Sequence, residues 1–154
     1  MEAKAIGTKA VTRSVQLMLN DLEALPESAF DQNFGGKSRT VADIVYEVIK
    51  VNDDIAANMR NEQTPPWPDD GWLKAPEDFR TKETVIAAFK ASSDKLCETV
   101  ESFTEEQFAE TIKTEHGETN RFERCRFIAL HIWYHSGQLN FIQTLIGDDD
   151  WHWN

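Results

Sequence analysis

Apolar residues recur along most of this chain at intervals of three and four, the repeat of a helix with one buried stripe. Between Ala3 and Leu25 the stripe is Val11, Val15, Met18, Leu22 and Leu25, which predicts a first core helix. Pro26 and the paired glycines Gly35 and Gly36 end that pattern and mark a turn. A second stripe follows Thr40, with Val41, Ile44, Val45, Val48, Val51, Ile55 and Met59 on one face. The run Thr40-Val-Ala-Asp43 resembles a capping box with Asp in the acceptor position. A third helix is expected after Thr81, with Val85, Phe89, Ser92, Leu96, Val100 and Phe103 in register.

The last pattern starts behind Asn120, an N-cap with Glu123 three residues on, and stops at Gly147, the place of a C′ glycine. On it Phe127, Ile128, Leu130, Tyr134, Leu139, Phe141, Ile142, Leu145 and Ile146 read as one apolar face, with Glu123, Arg126, Asn140, Gln143 and Thr144 opposite. His131 and His135 fall at the middle of that face, one turn apart. Trp133 and Tyr134 read as packing residues, and Gly137, facing away from the imidazoles, as a point of close approach to another element.

The segments between these stripes are short, with two exceptions. Asn61 to Arg80 holds four of the five prolines, too broken for helix or inner strand. Its Trp67, Trp72, Leu73 and Phe79 gain free energy by packing, so it is expected as an ordered strap over the bundle or as the wall of a pocket. Thr104 to Gln107 is a capping box for a short extra turn, and Thr111 to Thr119 alternates like a small hairpin, with His116 exposed at its turn. Four long helical patterns with little strand signal predict an all-α four-helix bundle. It carries a long loop between helices 2 and 3 and a short hairpin-like segment before the last helix, in one domain over residues 1–154.

Charge narrows the function. Sixteen Lys and Arg against 27 Asp and Glu leave a formal net charge of -11, with no basic cluster, which opposes nucleic acid as a partner. No apolar run approaches a membrane span, and the first ten residues lack the apolar core of a signal peptide, so a cytoplasmic protein with no membrane partner is expected. Cys97 and Cys125 lack metal or redox spacing and are expected as free thiols. The acidic run Asp148 to Asp150 has no EF-hand spacing and reads as a solvated end.

Candidate chemistry therefore rests on the histidine pair, since buried imidazoles need partners and a shared divalent cation is one. Glu47 lies at the edge of the second stripe, about 90° from its centre. By helix position alone it is a flanking charge whose carboxylate reaches water. Asn52 lies nearer the stripe centre and is expected in an amide contact between helices.

The run His131-Ile-Trp-Tyr-His135-Ser-Gly-Gln-Leu139 resembles the HxxxHxGQ(L/I) signature of the DinB-like and YfiT-like superfamily, helical bundles with a divalent metal site. The order of elements is similar along nearly the whole chain. The resemblance implies three ligands, two on the last helix and one on the second, where the family usually has a tryptophan followed eight residues later by histidine. Here those places hold Arg39 and Glu47. It thus implies a metal set of Glu47, His131 and His135, for zinc or nickel first and iron or manganese after. Among the neighbours, Gln138 reads as a hydrogen bond to a ligand or to another helix, Arg124 as a solvated charge or a contact for an anionic substrate, and Asp43 as a solvated carboxylate or a general base. The implied activity is metal-dependent hydrolysis, or transfer of a small thiol to an electrophile, on a small-molecule substrate. The alternative is a noncatalytic bundle with a degenerate site, acting in structure or interaction as a homodimer.

Overall fold

A computed structural model describes residues 2–68, 71–114 and 117–153. Four long helices form the frame: α1 (Ala3–Ala24), α2 (Val41–Met59), α3 (Lys82–Ser102) and α5 (Arg121–Leu145). A short helix α4 (Glu105–Ala109) and a hairpin of β1 (Thr111–Thr114) and β2 (Gly117–Asn120) lead into α5. The strands are antiparallel, with Thr111 opposite Asn120 and Thr114 opposite Gly117. His116, expected at the turn, lies outside the described residues.

Local chemistry sets the helix starts. Thr40 Oγ1 accepts the Asp43 N–H at 3.1 Å, Thr81 accepts from Thr84, and Asn120 Oδ1 accepts from Glu123 at 2.9 Å. Thr104 and Gln107 form the reciprocal capping box. The Asp43 side chain does not reach back to its own cap. It accepts the Ala75 N–H at 2.8 Å and pairs with Arg80 at 3.0 Å, which ties the long loop to the start of α2. Gly147 takes φ 89°, the left-handed conformation that closes α5.

Helix α1 packs on α5 and α3, and α2 packs on the same two, so each helix has two neighbours around a shared core. Met18, Leu22, Val45, Val48, Phe89, Leu96, Ile128, Ile132 and Leu139 are among its residues. Among the described residues, no helix is long and apolar enough to cross a membrane. Cys97 and Cys125 are free, and burial pushes the Cys125 thiol up to about 12.

The face of α5 differs from the expectation. Its buried stripe is Cys125, Ile128, Ala129, Ile132, His135, Ser136, Leu139, Ile142 and Gln143. Phe127, Leu130, Trp133, Tyr134, Phe141 and Leu145 are exposed, Leu130 at 61% and Phe141 at 64%. The helix carries two apolar stripes, and periodicity cannot say which one meets the core. Gln143, expected on the solvated side, is buried and donates to the Asp21 carbonyl at 3.3 Å. Gly137 packs against nothing, because a Cβ built there meets no atom within 4 Å.

The other differences concern polar groups. Asn52 is fully buried on α2, yet neither side-chain amide atom has a partner, so the expected contact between helices is absent. The acidic end folds back on the bundle. Trp153 Nε1 donates to Asp21 at 2.9 Å, Asn20 donates to the His152 carbonyl at 3.0 Å, and His152 pairs with Asp148 at 2.9 Å. Asp149 and Asp150 remain exposed.

Candidate metal centre

The packing of α2 on α5 brings Glu47 opposite His131 and His135. Glu47 is buried, 6% exposed, and does not reach water as its helix position suggested. Its Oε1 lies 3.3 Å from His135 Nε2 and 3.7 Å from His131 Nε2, and the two Nε2 atoms are 3.3 Å apart. Ligand bonds of ~2.0–2.1 Å at tetrahedral angles place neighbouring ligand atoms ~3.3 Å from one another, so these three atoms fit one small divalent cation.

The protonation states suit that use. Burial pushes His131 down to about 4, helped by neighbouring His135 and by the charge of Arg39. Burial likewise lowers His135, against the opposing effects of Gln138 and Glu47. Both rings are therefore neutral at pH 7, the form that ligates. His135 Nδ1 lies 2.8 Å from Gln138 Oε1, which can only accept, so Nδ1 carries the proton and Nε2 keeps its lone pair. A lone pair on Nε2, a carboxylate oxygen and a second imidazole nitrogen then converge with one shared proton at most between them. A cation between them satisfies all three.

Arg39 holds the other side of Glu47, its Nη1 2.8 Å from Oε2, while its Nη2 donates to the Asp43 carbonyl at 2.8 Å. The pair restricts Glu47 to offering Oε1. Arg39 and Glu47 are the residues at which the resemblance implied tryptophan and histidine. Their joint departure as opposite charges is the signal that could have pointed to this contact from sequence.

The remaining neighbours are placed as follows. Tyr134 sits edge-on to His135 at 4.9 Å with its ring otherwise exposed, and Phe127 stacks on His131 at 6.0 Å. Arg124 lies over Phe127 at 5.4 Å, the ring that stacks on His131. Asp43 is occupied by Arg80 and the Ala75 N–H. His131 Nδ1 is buried without a partner, so the ring is oriented by packing and by the contacts of its Nε2 with His135 and Glu47. Residues of the long loop, Trp67, Pro68, Gly71 and Trp72, line with Glu47 a cavity of ≈ 360 Å³. His131 is the more open of the two imidazoles, 16% exposed against 1% for His135.

A model of the DinB superfamily matches residues 10–139. Two solved structures share the fold. A DinB-like protein from Bacillus cereus ATCC 10987 aligns with TM-score 0.72 at 12% identity, over 92% of this chain and 91% of that one. A conserved protein from Enterococcus faecalis aligns with TM-score 0.71 at 14% identity, over 96% and 99%. No curated protein sequence matches the chain.

Proposed function

The chain belongs to the DinB superfamily, and from that premise we propose that it holds one divalent metal on Glu47 Oε1, His131 Nε2 and His135 Nε2 and acts on a small-molecule substrate. The convergence of those three atoms within 3.7 Å is the observation that carries the reading. Two neutral imidazoles and one carboxylate suit zinc or nickel first, and iron or manganese after. Such a metal, once bound, supplies Lewis acidity and makes a coordinated water or thiol a nucleophile near neutral pH, which fits hydrolysis or thiol transfer.

The chain's own residues have distinct parts in this reading. Gln138 fixes the His135 tautomer and ring plane, and Arg39 keeps Glu47 from offering both oxygens. Burial keeps the imidazoles neutral, while Trp67 and Trp72 supply apolar walls to the cavity beside Glu47. The reading takes the chain as one domain over residues 1–154 in the cytoplasm, and the charge of -11 argues against nucleic acid as a partner.

Elemental analysis of the purified protein tests the reading. One equivalent of metal is expected in the wild type and none in the His131→Ala/His135→Ala variant; an unchanged stoichiometric content in the variant would sink the site.

The exposed stripe Phe127, Leu130, Tyr134, Phe141 and Leu145 favours a second reading, a homodimer joined through α5. Apolar surface of this extent is uncommon on a monomer, and a stable interface covers about 800 Å² per partner. Sedimentation equilibrium decides it. A dimer broken by Leu130→Glu and Phe141→Glu supports this interface, whereas a monomer at all concentrations removes it.

A further inference from the structure

Beside the metal centre, two adjacent cavities share Lys37, Ser38, Arg39 and Trp72 and differ sharply in character. The larger, ≈ 670 Å³, runs along the exposed side of α5 and is walled by Trp72, Tyr134, Phe141 and Leu145. The smaller, ≈ 430 Å³, lies at the start of α2 and is lined by Lys37, Arg39, Lys74 and Arg80 and by the carboxylate of Asp43. Arg39 is paired with Glu47 and Arg80 with Asp31 and Asp43, so the two lysines carry the free positive charge of this cavity, against a chain of net charge -11.

The cations are not all satisfied within the protein. Arg39 Nη1 is taken by Glu47 Oε2, but Arg39 Nε is buried and makes no hydrogen bond, and Arg80 Nε, also buried, faces only Glu77 Oε1 at 3.9 Å. Buried donors without acceptors are costly and uncommon, and they are expected where a ligand supplies the missing oxygen. Lys37 and Lys74 are exposed at the rim, and neither forms an ion pair among the described residues. Trp72 lies over the Arg39 guanidinium at 5.0 Å, so the same ring borders the cationic end and the apolar end.

We propose that the two cavities form one site for a small organic anion with an apolar body, such as a carboxylate or sulfonate on an aromatic or branched frame. The anionic group lies among Arg39, Arg80 and the two lysines, and the body lies on Trp72, Tyr134 and Phe141. The volumes fall in the range of ordinary ligand pockets, with apolar walls and a few convergent polar groups. The site does not depend on what Glu47, His131 and His135 hold, although Arg39 places the bound anion next to that centre.

A matched pair of fluorescent probes tests the proposal on metal-free protein, so that the answer stands apart from the metal reading. 8-Anilinonaphthalene-1-sulfonate carries the anion, and N-phenyl-1-naphthylamine has the same body without it. The sulfonate is expected to bind saturably at one equivalent and more tightly than the uncharged probe. Lys37→Gln/Lys74→Gln should weaken it roughly fivefold, the scale of two exposed charge contacts. Arg39→Gln should weaken it about tenfold, the scale of a charge-assisted hydrogen bond. Neither variant should change the uncharged probe. Should Arg39→Gln fail to fold, the lysine variant, at two exposed positions, still decides. Equal affinity for the two probes, sulfonate binding indifferent to the lysine variant, or sulfonate binding lost as the chain dimerises would each overturn the proposal.

Discussion

Two buried carboxylates meet α5 through neighbouring residues, and they are held in opposite ways. Asp21 on α1 accepts the Ser136 hydroxyl on one oxygen and the Trp153 indole N–H on the other. Glu47 on α2 has Arg39 on one oxygen, while the other faces two imidazole nitrogens of which one must present a lone pair. His135 and Ser136 are adjacent, but a turn of about 100° between them sends one to each cluster. The Asp21 cluster is closed by donors and ties together α1, α5 and the folded-back end. The Glu47 cluster is short of donors on its imidazole side, the balance that a cation would complete. Burial of polar groups is thus common to both, and the balance of donors against acceptors separates them.

Glu47→Ala breaks this contrast most severely. It leaves Arg39 buried without its counter-charge, which costs about 3 kcal/mol, and it removes a ligand. Urea denaturation of metal-free protein should show that loss, and Arg39→Met in the same chain should recover most of it. A double variant no more stable than Glu47→Ala would show that the ion pair does not set the cost.

Asp21→Ala comes next, expected at about 2 kcal/mol because the Ser136 hydroxyl and the Trp153 N–H lose their acceptors. Its metal content should match the wild type, and a loss of metal here would mean that the two clusters are not separable. Gln138→Ala has the reverse profile. Metal affinity should fall about tenfold through the freed imidazole, with little change in denaturation midpoint in chelator.

The smallest effect is a pH dependence. Burial raises the Asp21 carboxyl above its ordinary value of 3.8, outweighing its hydrogen bonds from Ser136 and Trp153. The folded state then binds the proton more tightly than the unfolded state. The stability this adds is complete below pH 3.8 and is lost as pH rises through the folded value. Asp21→Asn, which cannot ionise, should therefore gain on the wild type across that window and hold a constant difference above it. A wild type that gains on Asp21→Asn with rising pH in a urea titration series would contradict the assignment.

The elements of the fold were legible because their signals are local. Thr40, Thr81, Thr104 and Asn120 cap the helices that their spacing announced, and Gly147 closes the last. The stripes of α1, α2 and α3 meet the core as their periodicity implies. On α5 the same method misplaced the face, because Ile128, Ile132 and Leu139 alternate around the helix with Phe127, Leu130 and Phe141. Two apolar stripes have no single direction.

The chain's own pattern of residues therefore determined the helices, their ends, the histidine pair and the acidic surface, since each follows from neighbours within a turn or two. Tertiary structure alone decided that Glu47 is buried, that Arg39 covers one of its oxygens, and that Asp21 closes a second cluster with Ser136 and Trp153. These contacts join residues up to 132 positions apart. Their pairing depends on which faces pack together, and a helical repeat carries no information about the partner across the core.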